Sequence, residues 1–168
     1  VGGAAAVRLH RLITRDPQEI WVWLPPGRRR ANLAFDGFYV RFRRGKQQGE
    51  GTPRRLPIAD ALADYSRVCT EDEMIAATTK ALVSHQVRLD DVRRAFESTR
   101  GAQHRGTVGD LLYHADKGIH SVLEWHYFVL VEVRHGLPPL VRQDNRLHGA
   151  VFDGSYPEYQ LVIELDGR

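Results

Sequence analysis

Several residue types that carry common protein chemistry are scarce in this sequence. Cys69 is the only cysteine among 168 residues, so the chain can form neither an internal disulfide nor a zinc site built from cysteines. No apolar run reaches the length of about twenty residues that a membrane helix needs, and the N-terminus lacks the features of a signal peptide. We therefore expect a cytoplasmic protein with no membrane partner. The eight histidines form no HxxxH or HExxH pattern, which argues against a histidine zinc site.

Lysine is also scarce, with 3 lysines against 21 arginines, and the basic residues are unevenly distributed. Residues 1–57 hold 12 basic and 4 acidic side chains, whereas residues 58–168 hold 12 and 17. This distribution predicts that nucleic acid meets the first part of the chain, and that the acidic part either binds a cation or faces solvent. The alternative is coding bias, because a high-GC genome also favours arginine over lysine. The clustered candidates for nucleic-acid contacts are Arg28, Arg29, Arg30, Arg41, Arg43, Arg44 and Lys46.

Two strands and a short helix are predicted in the basic region. The helix begins near residue 4, and the strands cover residues 20–24 and 38–43. In the second strand Tyr39, Arg41 and Arg43 share one face, opposite three apolar residues. On an exposed face these three side chains could contact a phosphate backbone and stack on a base; a solvated face is the alternative.

Residues 58–118 read as a run of four helices, at about residues 58–68, 74–85, 89–99 and 107–115. Thr70 and Glu73 have the spacing of a capping box ahead of the second helix. Such a run could contain the helix-turn-helix of a repressor. Asp90 and Asp91 at the start of the third helix would place negative charge where DNA phosphates should lie, which favours a packed helical connector.

A further helix and three strands are predicted at the end of the chain. Ser121 is an N-cap with Glu124 three residues later, and Gly136 ends the helix. One strand covers residues 140–147, and a hairpin turns near Glu158. In its last strand Leu161, Ile163 and Leu165 form an apolar face, and acidic residues lie on the other.

The hairpin brings carboxylates together. Its predicted register places Asp153 opposite Glu164, with Cβ atoms roughly 5–7 Å apart, and Asp166 is next along the same face. Facing carboxylates repel each other unless a cation lies between them, and Mg²⁺ is commonly held by one or two carboxylates with water and phosphate oxygens. The sequence thus indicates either a Mg²⁺ site or a solvated strand face that ends in an Asp-Gly turn.

These residues also resemble a known family. Asp153, the run Glu164-Leu-Asp166-Gly167 and the helical Ser121-Val-Leu-Glu124 are similar to motifs of the PD-(D/E)XK nuclease superfamily. The closer resemblance is to a bacterial family of unknown function related to very-short-patch repair endonucleases, often fused to a type IV toxin–antitoxin (abortive-infection) antitoxin-like region. Further segments that resemble landmarks of this family are residues 2–10, 24–26, 56–57 and 135–138. The resemblance therefore extends over nearly the whole chain.

The resemblance implies an α+β fold in three parts. Residues 1–57 would be a small basic, antitoxin-like α/β lobe, residues 58–118 a helical connector, and residues 119–168 a truncated restriction-endonuclease-like α-β-β-β core. The chain starts at Val1 rather than Met, and the family continues beyond the Asp-Gly. We therefore expect a fragment or an alternative start, truncated at both ends and at best feebly active as a nuclease.

The function that the resemblance implies is metal-dependent DNA endonuclease activity. Asp153 and Glu164 would hold Mg²⁺ or Mn²⁺, Asp166 would join them, and Glu124 would either support the site or serve only as a cap residue. Asp166 stands where the family has a lysine that positions the attacking water. The alternative is a non-catalytic DNA-binding antitoxin or transcriptional repressor with a vestigial nuclease-like fold. DNA is the expected partner, and a cognate toxin or a second copy are further candidates.

Overall fold

The chain folds into two compact units, Val1–Leu112 and Tyr113–Arg168. The computed structural model describes residues 1–45, 49–115, 119, 121–144 and 152–166. Helices and sheets occur in both units, so the predicted α+β class is confirmed. The boundary predicted at residue 57 lies inside the first unit. None of the helices in the described residues is long and apolar enough to cross a membrane.

The first unit contains a three-stranded sheet, with strand order β1-β3-β2. Both predicted strands are present, as β1 (Glu19–Leu24) and β3 (Phe38–Arg44), and they pair in parallel. Between them the sequence forms an unpredicted strand, β2 (Leu33–Phe35), antiparallel to β3. Asp36 and Gly37 connect these two strands with φ values of 42° and 79°. Positive φ at both turn residues is typical of the type I′ hairpin turn that Asp-Gly favours.

Five helices of the first unit share one hydrophobic core. Val7, Leu62, Met74, Val92 and Val108 are fully buried in it. Since Val7 belongs to the first helix, the basic lobe and the predicted connector are packed together. The helices are α1 (Gly3–Leu9), α2 (Ile58–Tyr65), α3 (Glu71–Val83), α4 (Leu89–Ser98) and α5 (Arg105–Tyr113).

The local signals at the third helix are confirmed. The Glu73 backbone N donates to Thr70 Oγ1 at 3.2 Å, and the Thr70 backbone N donates to Glu73 Oε2 at 2.9 Å. These two bonds are the reciprocal pair of a capping box. They satisfy backbone N–H groups that the helix itself leaves without partners, which fixes the start of α3.

The second unit has the predicted α-β-β-β order. Its helix begins as α6 (Val122–Tyr127), continues as a π-helix (Phe128–Val133), and ends at Gly136, which has a φ of 61°. Part of the first predicted strand, residues 145–147, lies outside the described residues. The antiparallel sheet has the order β4-β5-β6. Its strands are β4 (Val141–Asp144), β5 (Phe152–Tyr156) and β6 (Leu161–Ile163).

Candidate metal and nucleic-acid sites

The hairpin of the second unit has the predicted register. Gly154 pairs with Ile163, and Tyr156 pairs with Leu161. A 3-10 turn, Pro157–Tyr159, closes the hairpin where the turn was predicted. The apolar face of β6 is only partly covered, since Leu161 is exposed and Ile163 is half-buried. The face of β6 that carries Leu161 and Ile163 is therefore apolar but not fully buried.

Asp153 lies in β5, next to the last residue that is paired with β6. β6 ends at Ile163, and continuing the Gly154–Ile163 pairing by one step would place Asp153 across from Glu164. The Leu165 backbone N donates to Asp153 Oδ2 at 2.7 Å. This bond ties the Asp153 carboxylate to the segment that carries both Glu164 and Asp166. Asp153 is half-buried, whereas Glu164 and Asp166 are exposed.

The other predicted acidic residue, Glu124, lies at the start of α6. Its backbone N donates to Ser121 Oγ at 3.1 Å, so the predicted Ser121 cap is confirmed. The Glu124 side chain is buried. Within the described parts of the chain, no group of three or more His, Cys, Asp or Glu side chains is arranged to hold a metal ion. The convergence of Asp153 and Glu164, and a role for Glu124 beside them, stay predictions.

Sequence reasoning missed a buried ion pair in the same unit. Glu132, in the π-helix, pairs with Arg142 on β4, and both side chains are buried. The Leu140 backbone N also donates to Glu132 Oε2 at 3.4 Å, and the Arg142 guanidinium lies 5.5 Å from the centre of the Phe128 ring. Glu132 has the i, i+3, i+7 spacing of a helical stripe with the buried Trp125 and Phe128, but a glutamate is rarely buried unless it is paired, and its partner Arg142 lies on another element. The pair joins the helix to the sheet that carries Asp153.

Two of the predicted DNA-contacting arginines are engaged within the protein. Arg41 Nε lies 2.6 Å from Glu19 Oε1, and the Arg43 guanidinium lies 3.5 Å from the centre of the Trp21 ring. Burial lowers the pKa of Arg43, and the nearby Arg67 lowers it further. The sheet face that carries Arg41 and Arg43 was predicted to be exposed. Trp21, which pairs with Arg41, is buried, so this face is covered in part. Arg41 and Arg43 are poorer candidates for phosphate contacts than the sequence indicated.

The remaining arginines of the cluster are exposed. Arg28, Arg29 and Arg30 lie in the loop between β1 and β2, and Arg44 is the last residue of β3. Since Leu24 pairs with Arg44, this loop leaves the sheet at the end where Arg44 lies. Lys46 lies outside the described residues. Four arginines are thus available to solvent at one end of the sheet.

A buried acid, Asp64, connects the sheet to α2. Trp23 Nε1 donates to Asp64 Oδ2 at 2.8 Å, and Arg67 Nη2 lies 3.8 Å from Asp64 Oδ1. Burial raises the pKa of Asp64, although the Trp23 hydrogen bond and the two arginines, Arg67 and Arg43, act in the opposite direction. One feature of the sequence could have indicated this cluster. Gly2 has no side chain, so Trp23 and Asp64 can lie close to its backbone.

Known proteins give no independent indication of function. No family model matches the chain, and no curated protein or solved structure matches it either. The resemblance to PD-(D/E)XK nucleases therefore stays a prediction from the sequence. For the acidic hairpin and the basic loop, geometry and charge are the observations that bear on function.

Proposed function

We propose that the second unit is a metal-dependent DNA endonuclease of the PD-(D/E)XK type, which hydrolyses phosphodiester bonds. The observation that supports the proposal is the register of β5 and β6, whose continuation by one residue would place Asp153 across from Glu164. Two carboxylates, completed by water and phosphate oxygens, are a sufficient ligand set for Mg²⁺ or Mn²⁺. Both acids supply hard oxygen donors, so the residues present fit these ions.

Each acidic residue has a distinct role in this proposal. Asp153 is oriented by the Leu165 backbone N, so its carboxylate is held in place before any ion binds. Glu164 is exposed and can meet both the ion and a substrate phosphate. A bound ion would polarise the phosphate and lower the pKa of its water. Asp166 adds negative charge where the resembling family has a lysine, and for that reason we propose that cleavage is slow.

We expect the protein to nick supercoiled plasmid feebly in the presence of Mn²⁺. Asp153→Asn/Glu164→Gln should reduce this nicking to background, because neutral amides hold the ion far less well than carboxylates. The amide oxygen of Asn can still accept the Leu165 hydrogen bond, so the hairpin should survive. The measurement is the fraction of nicked and linear plasmid over time on an agarose gel.

The matched control for this prediction is Glu158→Gln, which removes an exposed acid from the turn of the same hairpin. Its nicking rate should equal that of the parent. Equal nicking by the parent and by the Asp153/Glu164 variant would rule out this site. Vigorous cutting by the parent, lost in the variant, would show that Asp166 does not limit the reaction.

The second candidate is a non-catalytic DNA-binding antitoxin or repressor in which the nuclease-like fold is vestigial. Two observations favour it: the described residues contain no three-ligand cluster, and Asp153 already has a structural role in holding Leu165. Mn²⁺ titration followed by electron paramagnetic resonance distinguishes the two functions. The endonuclease requires a bound ion that is lost in Asp153→Asn/Glu164→Gln, and the repressor requires none.

DNA contact is proposed for the exposed arginines of the first unit. Neutralising phosphates with arginine releases counterions, so binding weakens steeply as salt rises. We expect Arg28→Ala/Arg29→Ala/Arg30→Ala to lower the affinity for a short duplex and to flatten the plot of log affinity against log salt by up to about 2.7. Arg41→Ala/Arg43→Ala should have a smaller effect, because Glu19 and Trp21 already engage these side chains. Fluorescence anisotropy at several salt concentrations measures both slopes.

The control for this prediction removes the same number of charges from another surface. Arg88, Arg93 and Arg94 are exposed at and near the start of α4, where Arg93 and Arg94 pair with Asp90 and Asp91. Replacing these three by Ala should leave the salt slope nearly unchanged. If it flattens the slope as much as the loop variant does, the binding surface is not the basic loop.

A further inference from the structure

One face of the sheet in the first unit is apolar except for Arg44 at one end. Strand residues that are paired side by side point to the same side of a sheet, and alternate residues along each strand share a face. Trp21 and Trp23 lie on the inner face, because Trp21 packs against Gly3 of α1 and Trp23 bonds to Asp64 of α2. The registers of the three strands therefore define an outer apolar face, made of Ile20, Val22, Leu24, Leu33, Phe35, Phe38, Val40 and Phe42.

The outer apolar face is uncovered. Leu33, Phe35 and Phe38 are 52%, 75% and 43% exposed, and the other five residues are partly exposed. A contiguous apolar patch of this kind on a protein surface marks a site of interaction. The outer apolar face is therefore a candidate docking surface.

The basic residues of the outer apolar face lie at one end of it. Arg44 follows Val40 and Phe42 at intervals of two residues, so its side chain lies on the same face, at the end of β3. The exposed Arg28–Arg30 loop lies at the same end, since Leu24 pairs with Arg44. At the opposite end, the hairpin tip carries the single acid Asp36. A partner that covers the apolar residues must therefore be acidic where it meets Arg44.

We propose that the outer apolar face binds an amphipathic α-helix of a partner protein, with the acidic C-terminal end of that helix over Arg44 and the Arg28–Arg30 loop. This inference is independent of the proposed nuclease function. The negative end of the helix dipole and acidic side chains in the last turn both favour the basic end of the sheet. The apolar stripe of the helix replaces water over the eight apolar side chains.

The dimensions of the face fit one helix. Three strands spaced by about 4.8 Å place the outer strands about 10 Å apart, which is close to the 10–12 Å diameter of a helix with its side chains. The seven residues of β3 extend over about 23 Å, which corresponds to a helix of about 15 residues. A second copy of this chain would bring a second basic end with only Asp36 to oppose it. DNA matches the arginines but would leave the apolar side chains against a polyanion.

Three synthetic peptides of 15 residues test the proposal with the full chain. Each has leucines along one helical stripe; the first has glutamates in its C-terminal half, the second has them in its N-terminal half, and the third has lysines in their place. Anisotropy of a fluorescein label should show saturable binding of the first peptide, weaker binding of the second and none of the third. Equal binding of all three peptides, or no binding of the first, would overturn the proposal.

Substitutions in the edge strand locate the binding. Leu33→Thr/Phe35→Thr introduces β-branched residues that suit a strand, removes two exposed apolar side chains from β2, and should weaken binding of the first peptide at least about tenfold. Val68→Thr/Val83→Thr, at similarly exposed positions in the same unit, should leave the affinity unchanged. Circular dichroism checks that both variants fold, and Phe35→Thr alone serves if the double variant does not. Unchanged affinity in the β2 variant would contradict the proposal.

Other occupants of the outer apolar face give different results. A chain that sediments as a dimer without peptide, and as a monomer after Leu33→Thr/Phe35→Thr, covers this face with a second copy. Binding to phosphatidylglycerol vesicles that depends on the same two residues, without binding of the first peptide, assigns the face to a lipid surface. Either result would overturn the assignment of a partner helix.

Discussion

Arg142→Met is expected to destabilise the second unit by about 3–5 kcal/mol, because it leaves the buried Glu132 carboxylate without its charged partner. Methionine retains most of the apolar volume of arginine, so the loss comes from the charge rather than from a cavity. Among the described residues, Glu132 would keep the hydrogen bond from the Leu140 backbone N, which donates at 3.4 Å. Hydrogen exchange of peptides that cover α6 and β4, followed by mass spectrometry, measures the loss locally.

The double variant Glu132→Leu/Arg142→Met is the control for this prediction. It removes both charges, and a buried ion pair replaced by apolar residues of similar volume often costs little. We expect the double variant to be clearly more stable than Arg142→Met alone. A double variant that is less stable than the single one would mean that the pair stabilises the unit beyond mutual neutralisation.

Gly2→Ala is expected to destabilise the first unit by about 3 kcal/mol. A Cβ at this position would lie 2.8 Å from Trp23 Cδ1 and 2.9 Å from Asp64 Oδ2, so it would push apart a buried hydrogen-bonded pair. Displacing Trp23 removes a donor from Asp64, whose pKa burial already raises. The φ of Gly2 is −132°, so the backbone alone would tolerate alanine and the cost is steric. The free energy of unfolding from urea titration measures it.

A second glycine provides the comparison. Gly109 lies in α5, and a Cβ added there would have no neighbouring atom within 4 Å, so Gly109→Ala should stabilise the unit by up to about 1 kcal/mol through helix propensity. Opposite signs for the two substitutions would identify close packing as the cause. A Gly2→Ala variant as stable as the parent would show that Trp23 and Asp64 can move aside at little cost.

Local signals predicted the features that depend on neighbouring residues. The capping box at Thr70, the Ser121 cap and the stop at Gly136 follow from spacings of a few residues. The register of the hairpin was predictable for the same reason, because a short turn fixes which residues pair. These features extend over at most a dozen residues of sequence.

The features that were missed depend on contacts between distant segments. Alternation in β3 separates two faces but does not say which face the helices cover, so the Arg41 and Arg43 side was interpreted as the open one. Asp64 meets Trp23 across 41 residues, and no local spacing indicates that contact. Glu132 was missed because a glutamate is rarely buried unless it is paired, and its partner Arg142 lies on β4.

The order β1-β3-β2 has a consequence for the time course of folding. The β2–β3 hairpin needs only the Asp36–Gly37 turn, and hairpins of this size form in about 1–10 μs. The parallel β1–β3 pair instead closes a longer stretch, from Glu19 to Tyr39, and long-range parallel pairing is intrinsically slower. We therefore expect the hairpin to form before β1 joins it, which would leave both of its edges and its phenylalanines open to other chains. Refolding at high protein concentration should accordingly favour association of the chain.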